Sequence, residues 1–130
     1  MSGYILIIDD DVDFAEFVEE GVTLAGYTPL VATSAEQALT FITSKQIHGV
    51  ITDIVMPDMD GIEFLQEIAA RNANIPVVLM SGFQADYLRI AESIGRGRGL
   101  HVVGILVKPA SLDAVISKTR ALAEARPAQC

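Results

Sequence analysis

The chain has 130 residues, 51% hydrophobic and 20% charged, enough for one compact domain with a real core and too apolar for a disordered one. A net charge of −8 argues against direct nucleic-acid binding and favours a metal cation or a partner with a basic face. The apolar runs fall well short of the ~20 residues of a membrane span. No basic-then-apolar leader opens the chain, and its single cysteine, Cys130, cannot form an internal disulfide, which fits a reducing, cytoplasmic setting.

In chain order, the first element is a strand over Tyr4–Ile8, running into Asp9, Asp10 and Asp11. Phe14, Phe17, Val18, Gly21, Val22 and Ala25 then follow the i, i+3, i+4, i+7 spacing of a helix that Gly26 is placed to end. Thr28–Ala32 is a second strand, and its Pro29 assigns it to a sheet edge. Ser34 to Gln37 reads as a capping box, opening a helix with Ala35, Ala38, Leu39 and Ile42 on one face. Gly49–Thr52 is a third strand, followed by "MPDMDG" turn chemistry and a helical stripe of Ile62, Leu65, Ile68 and Ala69. Ile75–Met80 is a fourth strand, and Tyr87, Ile90, Ala91 and Ile94 mark a fourth helix. Val102–Val107 is a fifth strand; Ser111 caps a fifth helix with Leu112, Val115, Ile116 and Thr119 inward.

This alternation predicts an α/β fold with parallel strands, right-handed crossovers and helices on both faces. Functional groups then gather beyond the carboxyl ends of the strands. Those ends carry Asp9-Asp10-Asp11, Asp53, Ser81 and Lys108. Asp13, and in part Asp11, is explained by the preference of carboxylates for a helix N-terminus. Ser81 or Lys108 alone would be an ordinary strand-end residue. Together they make a site. Crowded carboxylates repel, and a hard divalent cation relieves them; Mg²⁺ takes one or two carboxylates plus waters and phosphate oxygens. Asp10 and Asp53 are the expected metal ligands, with Asp9 acting directly or through water. An aspartate can attack phosphorus and become an acyl phosphate, and Lys108 and Ser81 can donate hydrogen bonds to the new anion.

At this point the chain resembles the receiver domain of two-component response regulators. The matching pieces are "IIDDD", "TDIVMPDMDG", "MSG" and "VKP". The resemblance implies a flavodoxin-like (βα)5 three-layer sandwich with strand order 2-1-3-4-5, spanning 1–125, with 126–130 a tail or the start of a linker. It implies that Asp53 accepts phosphate from a sensor histidine kinase or histidine phosphotransfer protein. Asp9 and Asp10 form the acidic pair, and the Val55 carbonyl is a further Mg²⁺ ligand. Ser81 has the switch-hydroxyl role, Lys108 binds phosphate, and the Lys108–Pro109 bond is cis. The output face is the fourth helix, fifth strand and fifth helix. No enzyme activity is expected beyond self-phosphorylation and self-dephosphorylation, and neither nucleic acid nor membrane is a partner.

Two departures stand out. Ile105 occupies the place where the family often has an aromatic, so switching is expected to work through shifts around Ser81 to Phe83. The segment between Ser81 and Lys108 runs a few residues longer than in most receivers, giving a longer loop or an extended fourth helix around Gly97 and Gly99. Its style is similar to receivers placed ahead of cyclic-di-GMP phosphodiesterase domains. Tyr87, Leu88 and Ile90 cannot all face inward, which leaves an apolar strip for a partner. Val55 and Phe83 flank the pocket and are expected to exclude attacking water.

Two other readings compete. A haloacid-dehalogenase-like Mg²⁺ phosphatase would use Asp9 as nucleophile with Asp11, but Asp13 stands where that family has Thr or Val. A calcium loop over Asp9, Asp11, Asp13 and Glu20 puts Phe14 where the turn needs Gly. Arg96 and Arg98 read as a solvated loop rather than a nucleic-acid site.

Overall fold

The computed structural model describes residues 3–56, 59–71, 74–82, 85–97 and 99–125, and at 59, 85–88 and 90 the backbone alone. Five strands, β1 (Tyr4–Ile8), β2 (Thr28–Ala32), β3 (Ile47–Asp53), β4 (Pro76–Ser81) and β5 (His101–Val107), form one parallel sheet in the order β2-β1-β3-β4-β5. Five helices connect and follow them: α1 (Val12–Leu24), α2 (Ala35–Ser44), α3 (Gly61–Arg71), α4 (Ala85–Gly97) and α5 (Leu112–Glu124). A two-residue antiparallel ladder, Val55–Met56 with Met59–Asp60, lies outside the main sheet.

Central strands β1, β3 and β4 are apolar on both faces because both are covered. On one face Val18 and Val22 of α1 and Val115 and Leu122 of α5 pack on Ile5, Ile7, Ile51 and Met80. On the other, Ala38 of α2, Phe64 and Ile68 of α3 and Ala91 of α4 pack on Leu6, Ile8, Val50 and Leu79. Phe64, the largest fully buried side chain among the described residues, and Leu122 were absent from the predicted stripes. Each completes a helical face: Gly61-Phe64-Leu65-Ile68 at i, i+3, i+4, i+7 and Val115-Thr119-Leu122 at i, i+4, i+7.

Strands β1 and β2 match their predicted bounds, and Pro29 does lie on an edge strand. Strand β3 is longer than predicted, Ile47–Asp53, because Ile47 already pairs with Tyr4 and Asp53 with Met80. Strand β4 is displaced by one residue at both ends relative to the expected Ile75–Met80, and β5 begins one residue early, at His101. A register shift between Val77 and Val78 makes Val78 pair with Gly104. Because side chains alternate, such a slip decides which face each later residue meets: Ile105 packs on the α2–α4 side and Leu106 on the α1–α5 side.

Helix ends follow local chemistry. Asp11, rather than Asp13, is the N-cap of α1, accepting from the Phe14 amide at 3.2 Å. Ser34 accepts from Gln37 N–H at 3.1 Å, while Gln37 Oε1 reaches back to the Thr33 amide, one residue earlier than in the usual box. Gly26, at φ 96°, closes α1: its amide donates to the Thr23 carbonyl and that of Tyr27 to the Val22 carbonyl. Gly99, at φ 84°, closes α4 in the same manner: its amide donates to the Arg96 carbonyl and that of Leu100 to the Gly95 carbonyl, a tight turn ahead of β5. The strip at Tyr87, Leu88 and Ile90 lies outside the described side chains, as do Phe83 and Arg98 altogether. Arg96 pairs with Glu92 at 3.1 Å and donates to the Val102 carbonyl.

Candidate phosphoacceptor site

The parallel sheet brings the carboxyl ends of β1, β3, β4 and β5 to one edge, and Asp9, Asp53, Ser81 and Lys108 come with them. Asp9 is fully buried, Asp53 5% exposed and Ser81 2% exposed, whereas Asp10 is exposed. Carboxylate oxygens of Asp9, Asp10 and Asp53 all lie within 4.8 Å of one another. This all-oxygen, anionic donor set suits a hard divalent cation.

Lys108 crosses the site. Its Nζ donates to Asp9 Oδ2 at 2.7 Å and to Asp53 Oδ2 at 2.8 Å. The other oxygens are held by backbone: Asp11 N–H donates to Asp9 Oδ1 at 2.9 Å, and Val55 N–H to Asp53 Oδ1 at 2.8 Å. The Asp53 carboxylate is therefore fixed on both sides while its rim opens toward Asp10. The lysine stem is fixed too. Lys108 N–H donates to the Ser81 carbonyl at 3.0 Å, and its Cβ lies so close to Gly82 that a side chain there would crowd it. The Lys108–Pro109 bond is cis, as expected.

Burial raises the Asp9 pKa, because desolvation outweighs what Lys108 and the Asp11 amide return. Burial would lower that of Lys108, but hydrogen bonds to Asp53 and Asp9 outweigh it and the net shift is upward. The two directions agree physically: the ammonium shares two anions, while Asp9 has one cation to set against complete burial.

The strand-end residues singled out by sequence share this edge, and three supports around them are not among those residues. Asp60 Oδ1 caps α3 through the Ile62 amide at 2.9 Å. Gly61 passes so close that a Cβ would collide with the Ile54 carbonyl oxygen. Phe14, read as a core residue, has its ring centroid 4.6 Å from Lys108 Nζ. A polar residue before a helix signals the first; the other two depend on tertiary approach and leave no local signal. Asp13 and Glu20, required by a calcium loop, lie on α1.

A doubly covered parallel sheet with an acidic cluster and a lysine at its carboxyl edge is the arrangement of an α/β phosphoacceptor domain. The response regulator receiver domain profile matches residues 5–120, and the chain belongs to that family. It is 30% identical over 122 residues to the C4-dicarboxylate transport transcriptional regulatory protein DctD of Rhizobium meliloti, covering 94% of this chain and 25% of that protein. It is 27% identical over 122 residues to the response regulator MprA of Mycobacterium ulcerans, covering 94% of this chain and 50% of that one. The chain thus spans half or less of these relatives. A CheY-like receiver domain protein from Methanospirillum hungatei superposes with a TM-score of 0.79 at 21% identity over 92% of each chain, a likeness of fold. Among the described residues no helix is long and apolar enough to cross a membrane.

Proposed function

We propose that this receiver domain accepts a phosphoryl group on Asp53 from a phosphohistidine of a sensor histidine kinase or histidine phosphotransfer protein. The observation that carries it is the Asp53 carboxylate, almost buried, held by Val55 N–H and Lys108, and adjoining Asp9 and Asp10. A carboxylate oxygen of Asp53 attacks phosphorus in line and forms a P–O bond. The P–N bond breaks, its electron pair returns to the imidazole nitrogen, and the ring, protonated on its other nitrogen, leaves neutral. Lys108, already on Asp53 Oδ2, is within reach of the phosphoryl oxygens of the product, and the Ser81 hydroxyl supplies a second donor at the adjoining strand end. Asp9, Asp10 and Asp53, with the Val55 carbonyl, would hold Mg²⁺, which when bound screens the charge of the approaching phosphoryl group.

The domain is read as 1–125 with 126–130 as a tail or the start of a linker, acting in the cytoplasm. Its output is docking of a domain or effector on the face of α4, β5 and α5. Phosphorylation biases that face through the segment after Ser81, with Ile105, partly buried on the α2–α4 side, in a supporting place. The exposed Val55 borders the pocket.

Intact-mass measurement after a small phosphoryl donor and Mg²⁺ tests this. Wild type should gain one phosphoryl group and Asp53→Asn none. Equal gain by both would place the acceptor elsewhere.

A further inference from the structure

We infer that Phe14 positions Lys108: its ring face holds the ammonium in the gap between the Asp9 and Asp53 carboxylates. This rests on the reading of Asp53 as phosphoacceptor. Lys108 Nζ is 4.6 Å from the ring centroid, well inside the ~6 Å over which an aromatic quadrupole attracts a cation. The same nitrogen makes two hydrogen bonds, to Asp9 and Asp53, and the ring is a further neighbour that needs no hydrogen-bond acceptor. With its side chain 17% exposed, the lysine lies where the attraction is strengthened by partial desolvation.

Phe14 is itself held at both ends. Its amide donates to the N-cap Asp11, which fixes the backbone at the first turn of α1. Its ring meets Phe17, one turn on, at 5.7 Å between centroids and tilted by 41°. Phe14 is partly buried and packs against the α1–α5 side of the core, so its ring serves that packing as well as the contact with Lys108. The acidic run and the aromatic thus act as a unit. Asp11 starts the helix, the helix presents the ring, and the ring keeps the ammonium over the carboxylate that has to react.

Two measurements on the full chain test the inference. The first is a double-substitution cycle on the unfolding equilibrium with Phe14→Leu and Lys108→Met. A held ammonium predicts that the two substitutions are non-additive by between about two- and thirty-fold in the unfolding constant; additivity overturns the inference. The second is the rate of phosphoryl labelling by phosphoramidate with Mg²⁺. Phe14→Leu should slow it by a factor in the same range, about two- to thirty-fold, and Phe14→Tyr should restore it. Pentafluorophenylalanine at position 14 keeps the shape of the ring but reverses its face charge. It should slow labelling as Phe14→Leu does, and it decides the matter if Phe14→Leu does not fold. Labelling as fast as wild type with the fluorinated ring overturns the inference. Should wild type itself gain no phosphoryl group on Asp53, the phosphoacceptor reading fails, while the unfolding cycle still reports on Phe14 and Lys108.

Discussion

At the scale of residues, the site is an exercise in holding like charges together. Asp9 is wholly buried and its carboxyl is shifted upward by desolvation; Lys108 is shifted upward by its two carboxylate partners. A carboxyl raised above its ordinary 3.8 contributes stability that is full below that value and lost as pH rises through its folded value. An amine raised above 10.5 contributes stability that is full below 10.5 and lost as pH rises through its higher folded value. A cation held by this acidic cluster would use the ionised carboxylate, so protons and Mg²⁺ would compete at Asp9. The Mg²⁺-induced rise in melting temperature should therefore shrink as pH falls from neutrality toward about 5, the upper side of the carboxylate range. In Asp9→Asn the remaining Mg²⁺ effect should be smaller at neutral pH and vary less with pH. Thermal unfolding with and without Mg²⁺ at a series of pH values reads both.

At the scale of elements, strong local signals set the boundaries and long-range pairing adjusted them. Alternating apolar strands and 3.6-residue stripes made the sheet and helices legible, because a doubly covered parallel sheet needs unbroken apolar strands. Gly26 was legible as a helix end because the left-handed turn has a residue preference. The extra residues of β3 at Ile47 and His48 were not, since they owe their state to pairing across to Tyr4 and Gly3's neighbourhood rather than to their own propensity. The shift in register that decides which face Ile105 and which face Leu106 meets is equally silent in the sequence. At Gly26 a side chain finds open space, so only the backbone angle of 96° opposes substitution. Gly26→Ala should destabilise the domain by about 1 kcal/mol, the approximate strain of a left-handed non-glycine residue. Urea denaturation checks it, and an unchanged midpoint would show that the turn relaxes.

At the scale of the whole molecule, the site was more legible than its supports. Asp9, Asp10, Asp53, Ser81 and Lys108 stand at strand ends, and parallel order alone carries strand ends to one edge. Phe64, Leu122, Phe14 and the approach of Gly61 to Ile54 depend on how layers settle on one another, and a one-dimensional pattern records that poorly. Gly61 tests the point. A methyl group there would meet the Ile54 carbonyl oxygen, so Gly61→Ala should destabilise by about 1–3 kcal/mol through forced displacement. Equilibrium unfolding measures it; a change below that range would mean the segment yields easily.

That same contact has a mechanical side. Ile54 follows Asp53 directly and its amide is anchored to the Met80 carbonyl at 3.1 Å, while its own carbonyl abuts the first residue of α3. With a glycine there is no side chain between them to act as a cushion. Any recoil of the chain at Asp53 would reach the root of α3 through this close approach, so amide exchange at the start of α3 should respond to phosphorylation of Asp53 as early as the segment after Ser81 does.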